Sequence, residues 1–218
     1  MHYITFNFLD QHQHGTAFHQ FLKLRKRHFV DELRWSIPHD DEVEMDQYDN
    51  PKAWYSLVCK GGEVVGGARV MSTDVVWGEH TYMLHDALNG KLGEIPPAIV
   101  PHDITSPKVW EATRLVISDQ LSTQVERGMS LRLIVKGLTE IAASQGATEM
   151  MSLSPLPLMR ALRQIGYQAR REGTPYKNDE DGRRYAVLMM PVTSPTEDVL
   201  DPEVVPKSLP QIPELAIS

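Results

Sequence analysis

One cysteine in 218 residues is a scarcity that removes a class of protein. Cys59 has no partner within the chain, so no intramolecular disulfide can form and a secreted, bridge-stapled module is not expected. Basic charge is short as well: 22 Lys and Arg stand against 29 Asp and Glu, a net of −7, which is not the footprint of a nucleic-acid binder. No run of 18 apolar residues occurs, and residues 1–10 lack a basic segment followed by an apolar one. Neither a membrane span nor a signal peptide is expected. There is no HExxH, and His12, His14 and His19 have no carboxylate at ligand spacing, so these histidines predict a solvated N-terminal loop and no metal site. These absences together predict a cytoplasmic protein with no metal, no nucleic acid and no membrane among its partners.

At this length one principal domain is the default, and folding removes roughly 70% of the unfolded chain's accessible area, enough for a core without staples. Residues 193–218 hold five of the 15 prolines and five acids against one lysine. They read as a disordered or loosely docked tail behind a folded body at 1–192. In residues 16–34 the apolar positions Phe18, Leu22, Phe29 and Leu33 fall at helical spacing, and Arg25 lies on the same stripe. An inward guanidinium wants a carboxylate partner. Residues 35–50 follow, with six acids after Pro38 and no Lys or Arg, and read as an irregular loop.

Residues 53–60 and 63–72 flank Gly61-Gly62, a two-residue hairpin signal. A short helix at Met83–Leu88 and a Pro-rich connector at 94–107 lead to a strand at 108–118. The longest helix is predicted at 122–146 with Gly146 as its stop, then a strand at 147–154 and a helix at 156–165. Closing strands at 167–171 and Arg184–Pro191 surround the turn at 178–182. This order predicts an α/β protein, a three-layer α/β/α sandwich around a mixed, twisted sheet.

The chemistry-bearing residues form an ordered set: Arg25, Phe29, Trp35, Glu44, Asp46 and Asp49, then Gly66-Gly67-Ala68-Arg69, then Trp110-Glu111-Ala112-Thr113-Arg114. Two cations aimed inward from a helix and a strand would draw the anionic loop over the sheet. Structural ion pairing accounts for that pattern as well as a binding site does. Glu111 and Arg114 are three apart, so a regular strand would point them to opposite faces. Either the strand is bulged there or the two residues have different jobs.

Across residues 1–192 this set resembles the acyl-homoserine lactone synthases of the LuxI type, which make quorum-sensing signals on a GNAT-like acyltransferase fold. The resemblance implies an acyltransferase that moves an acyl group from a thioester, on acyl carrier protein or as acyl-CoA, to the amine of S-adenosylmethionine, then closes the lactone with release of methylthioadenosine. It implies no prosthetic group and no metal; S-adenosylmethionine and the acyl thioester are co-substrates. It assigns Arg25, Phe29, Trp35, Asp46, Asp49 and Arg69 to the S-adenosylmethionine pocket or its backing, with Arg114 bracing the acids. A base must take a proton from the amine before attack, and Glu111 is the first choice and Glu44 the second.

In GNAT enzymes a Gly-rich turn opening a helix holds the donor's pyrophosphate. The corresponding stretch, Val125 to Ser130, matches poorly, which agrees with a donor on acyl carrier protein rather than CoA. Arg132 with Lys136, and Arg160 with Arg163, are candidates for docking an acidic carrier. Met150, Ser154 and Leu156 are candidates for the acyl pocket, alongside Met151, Leu153 and Met159, and Ser154 falls where the family often has a Thr linked to 3-oxo chains. Ordinary core packing explains the Met-rich wall equally well. A GNAT-like transferase of another amine and a catalytically silent S-adenosylmethionine-binding module remain as alternatives.

Overall fold

The computed structural model describes residues 1–100 and 102–193. The tail expected at 193–218 therefore lies, save for its first residue, outside the described residues. The body is a seven-stranded sheet in the order β1-β2-β3-β4-β5-β7-β6. Its strands are β1 (His2–Asn7), β2 (Trp54–Lys60), β3 (Glu63–Ser72), β4 (Val109–Ile117), β5 (Glu149–Pro155), β6 (Arg170–Lys177) and β7 (Arg184–Pro191). The helices α1 (Ala17–Arg25) and α2 (Met83–Leu88) pack on one face; α3 (Gln124–Ser144) and α4 (Leu156–Gln164) pack on the other. The expected three-layer α/β/α sandwich around a mixed sheet is the observed one.

The β2–β3 hairpin turns at Gly61 and Gly62, with φ of 62° and 88°, the positive values that its two-residue turn needs. The glycines of Gly66-Gly67 serve another purpose: they let helices approach the sheet from both sides. A Cβ on Gly67 would stand 2.5 Å from Leu57 Cδ2 and 2.9 Å from Phe21 Cε2, and one on Gly66 would stand 2.8 Å from Ser130 Oγ. α3 begins with a capping box in which the Thr123 hydroxyl accepts from Glu126 N and the Glu126 side chain reaches back to Thr123 N.

Three expectations need correction. The N-terminal segment is not a loop: β1 pairs with β2 from His2↔Cys59 to Asn7↔Trp54, and Phe8–His14 forms a 3₁₀ run carrying His12 and His14, with His19 on α1. The predicted helix at 16–34 is regular only to Arg25, and Lys26–Glu32 is a π-helical turn. The closing strand expected at 167–171 runs from Arg170 to Lys177 and continues past Gly173 and Pro175 through a register shift between Glu172 and Tyr176.

Among the described residues only one strand pair is parallel. β4 and β5 pair over Val109↔Glu149, Trp110↔Met150 and Glu111↔Met151, then part. A second irregularity lies beside that opening. Between Gly67↔Val116 and Arg69↔Thr113, two steps on β3 face three on β4, so β4 carries one extra residue. Arg114, with φ of 57°, sits in this bulge. The bulge resolves the spacing problem: Glu111, Thr113 and Arg114 all turn to the α1 and α2 face.

Candidate active site

The loop at residues 35–52 lies against the α1 face, drawn down by charge. Arg25, fully buried at the end of α1, donates from Nε to Glu44 Oε2 at 2.5 Å and from Nη1 and Nη2 to the two oxygens of Asp49 at 2.8 and 2.9 Å. Arg69, fully buried on β3, donates through Nη1 and Nη2 to Asp46 at 2.5 and 3.1 Å and through Nε to the Thr113 hydroxyl at 3.0 Å. Arg114 closes the set, with Nε 3.2 Å from Glu44 Oε1 and Nη2 2.9 Å from Asp46 Oδ2. Three guanidiniums thus meet three carboxylates, and 3 − 3 leaves the buried cluster formally neutral. That neutrality is what makes such burial tolerable.

Burial alone would push the carboxyls of Asp46 and Asp49 up. The guanidiniums overcome this, Arg69 chiefly for Asp46 and Arg25 chiefly for Asp49, and hold both below the ordinary carboxylate range. A depressed folded value stabilises the fold above the unfolded value of about 3.9 and loses that stabilisation as pH falls through the folded value. The thermal midpoint is therefore expected to hold near neutrality and to fall steadily once pH drops below about 5. A melting series by circular dichroism from pH 7 to 3 tests this; a flat midpoint would contradict the pairing.

The π turn supplies the aromatic part of the site. It places Phe29 beneath Arg114, whose Cζ is 5.5 Å from the ring centroid, and stacks Phe29 on Trp35 at 5.1 Å. Its register is visible in its ion pairs, Lys26–Asp31 at 3.0 Å and Arg27–Glu32 at 3.3 Å, each spaced five residues apart as a π turn brings together. On β3, Arg69 lies 5.5 Å over the ring of Tyr48.

A cavity of 170 Å³ opens above this network, lined among others by Asp46, Arg114, Tyr48, Trp35, Met83, Ile95, Tyr176 and Glu180. Of the residues expected at an S-adenosylmethionine pocket, Trp35, Asp46 and Arg114 line the cavity. Arg25, Phe29, Asp49 and Arg69 stand behind them, as does Glu44. Glu111 lies one layer below Met83: its two oxygens accept from Met83 N at 2.7 Å and Leu84 N at 2.9 Å at the start of α2. Burial pushes its carboxyl up to about 7, against the lowering pull of those two N–H groups and of Arg69. Glu44 is held by two guanidiniums, those of Arg25 and Arg114.

On the opposite face, where β4 and β5 part, an apolar cavity of about 30 Å³ is lined by Ala112, Leu115, Leu138, Met150, Met151 and Leu158, with Ser152 as its hydroxyl-bearing wall residue. Of the acyl-pocket candidates, Met150 lines this cavity. Ser154 and Leu156 are outside the lining; Ser154 Oγ stands 2.7 Å behind Ser152 Oγ. Strand alternation from Met150 was the available signal for Ser152. Among the docking candidates, Lys136 Nζ is 3.9 Å from Glu140 and 5.8 Å over the Tyr3 ring, Arg132 is half-buried, and Arg160 and Arg163 are exposed on α4. Arg163 Nε is engaged by the Ala169 carbonyl at 2.7 Å. Among the described residues, no three His, Cys, Asp or Glu side chains are grouped to hold a metal.

A twisted mixed sheet whose parallel central strands part beside a bulge is the GNAT-like acyltransferase fold. Escherichia coli ElaA shares this fold over 87% of this chain and 99% of its own, with a TM-score of 0.55 and 15% identity. The model for the autoinducer synthases matches residues 10–198, and the chain belongs to that family. It is 27% identical over 168 residues to an acyl-homoserine-lactone synthase of Aeromonas hydrophila, covering 76% of this chain and 75% of the relative. It also aligns with the crystal structure of TofI in a ternary complex with an inhibitor and MTA, at a TM-score of 0.71 and 26% identity, over 92% of this chain and 97% of that one.

Proposed function

We propose that the protein is an acyl-homoserine lactone synthase, working on S-adenosylmethionine and an acyl thioester to make a quorum-sensing signal. The observation that carries this reading is the cavity in which an anionic and a cationic side chain, Asp46 and Arg114, face the aromatic wall of Trp35 and Tyr176. S-adenosylmethionine presents a carboxylate, an amine, a sulfonium and a flat base, and that wall and floor complement each of them: guanidinium for carboxylate, carboxylate for cation, indole for sulfonium or base. The MTA bound in the TofI structure is consistent with this reading.

In the first step the amine nitrogen attacks the thioester carbon, a C–N bond forms, the C–S bond breaks, and the donor thiol leaves. The amine proton goes to Glu111 through a water, since burial raises the Glu111 carboxyl to about 7 and a base works best with a value near the working pH. The backbone of the β4 bulge lies beside the opening in the sheet and supplies N–H groups for the developing oxyanion. In the second step a substrate carboxylate oxygen displaces methylthioadenosine from the γ-carbon and the lactone closes. No enzyme base is needed there.

The acyl chain occupies the cavity between β4, β5, α3 and α4, whose methionines adapt to its shape. An acyl carrier protein is the favoured donor. At the start of α3 the backbone N–H of Glu126 is taken by Thr123 and the Glu126 carboxylate stands beside it, which opposes a pyrophosphate there. Arg160 and Arg163 on α4, with Arg132 and Lys136 on α3, then face the acidic carrier. Cys59, a free and buried thiol, suits the reducing cytoplasm.

Incubating the purified protein with S-adenosylmethionine and a panel of acyl carriers should release methylthioadenosine and an acyl-homoserine lactone, followed by mass spectrometry. Thioester consumption without methylthioadenosine would point to another amine acceptor. Nucleotide binding without turnover would leave a silent binding module.

A further inference from the structure

Opposite the acidic loop, the turn joining β6 and β7 reaches across to Trp35. Asp181 Oδ2 accepts from the Trp35 indole Nε1 at 3.0 Å and from the Tyr185 hydroxyl at 2.6 Å, while Asp181 Oδ1 accepts from Arg183 N at 2.8 Å. One residue away, Glu180 Oε1 accepts from Ser36 N at 2.9 Å. The loop carrying Trp35 is thus tied at two adjacent points to a turn 146 residues further along the chain. Trp35 is sandwiched between Phe29, stacked at 5.1 Å, and Tyr185, edge-on at 6.0 Å, so the Asp181 contact fixes the remaining freedom of the indole, its rotation in plane. Asp181 itself is outside the cavity lining, whereas Trp35, Tyr176, Asn178 and Glu180 are within it.

We propose that Asp181 is a positioning residue for the nucleotide substrate: by holding the Trp35 indole and the Tyr185 hydroxyl on one carboxylate oxygen, it sets the cavity wall against which S-adenosylmethionine binds. This rests on the nucleotide reading of that cavity. Because the wall shares no residue with the proposed thioester cavity on the other sheet face, the effect falls on one substrate and not the other.

Calorimetry and steady-state kinetics on the full chain test the assignment with S-adenosylmethionine as the titrant. Asp181→Ala should weaken S-adenosylmethionine binding and raise its KM about tenfold, as loss of an indole hydrogen bond to a charged acceptor would. The kcat and the KM for the thioester should stay within about twofold. Asp181→Asn, whose amide oxygen still accepts, should recover most of the binding. In a Trp35→Phe background, which has no indole N–H, Asp181→Ala should add nothing further. Should Asp181→Ala fail to fold, Asp181→Ser carries the same expectations, its hydroxyl being too short to reach the indole. Equal binding by wild type and Asp181→Ala, or an equal loss in the Trp35→Phe background, would overturn the assignment. Failure of the wild type to bind S-adenosylmethionine would instead overturn the function proposed above.

Discussion

Arg25→Ala is expected to abolish lactone formation and to lower the unfolding free energy by about 3–5 kcal/mol, because it leaves buried carboxylates without their partner. Asp49 loses two charge-assisted bonds and Glu44 one, in a cluster whose formal charge moves from zero to −1. Against a total stability of roughly 5–15 kcal/mol, that is about a fifth or more of what holds such a domain together. The loop at 35–52 should then lift from α1, taking Asp46 away from the cavity floor. Arg25→Lys separates charge from geometry: one ammonium cannot span Glu44 through Nε and both oxygens of Asp49 through the fork, so activity should still fall while stability suffers less. Urea unfolding followed by circular dichroism, paired with a methylthioadenosine assay, gives both quantities. Full activity in Arg25→Ala would remove the network from the site.

The second large effect is expected at Glu111. Glu111→Gln should reduce kcat by about 10²–10⁴-fold, the range associated with loss of a general base, and should erase the limb of the pH–rate profile near 7. The same carboxyl makes an independent stability prediction. Its folded value lies above the unfolded value of about 4.3, so its contribution favours the fold below that value and is lost as pH rises through about 7. Relative to wild type, Glu111→Gln should therefore gain stability between pH 5 and 8, by about 3 kcal/mol for a shift of that size. A variant within tenfold of wild-type activity and with an unchanged pH limb would leave Glu111 as the anchor of α2 alone.

Much of this site was legible from the order of residue types. Arg25 on an apolar stripe announced a buried guanidinium, and a loop with six acids and no Lys or Arg announced its partners. Gly66-Gly67 stood in the ordered set, but the crowding from both faces that requires them shows only in the fold. What the sequence hid was geometry that depends on distant partners. The N-terminal segment read as a solvated loop, because the pairing of β1 with β2 is invisible in six residues whose first four positions are two half-buried and two exposed. The π turn was masked because Phe29 and Leu33 also fit a helical stripe, although Lys26 with Asp31 and Arg27 with Glu32 carried the five-residue spacing. Asp181 gave no signal at all, since an Asp in a turn is ordinary and its partner is 146 residues away.

The place where β4 leaves β5 has one more consequence. On the function proposed above, the nucleotide lies on the α1 and α2 side of the sheet and the acyl chain on the α3 and α4 side, so the sheet works as a partition between them with a window where β4 and β5 part. Neither substrate stands in the other's doorway. Loading in either order, and departure of the thiol and the thioether by separate exits, follow from three rungs of parallel pairing that stop early.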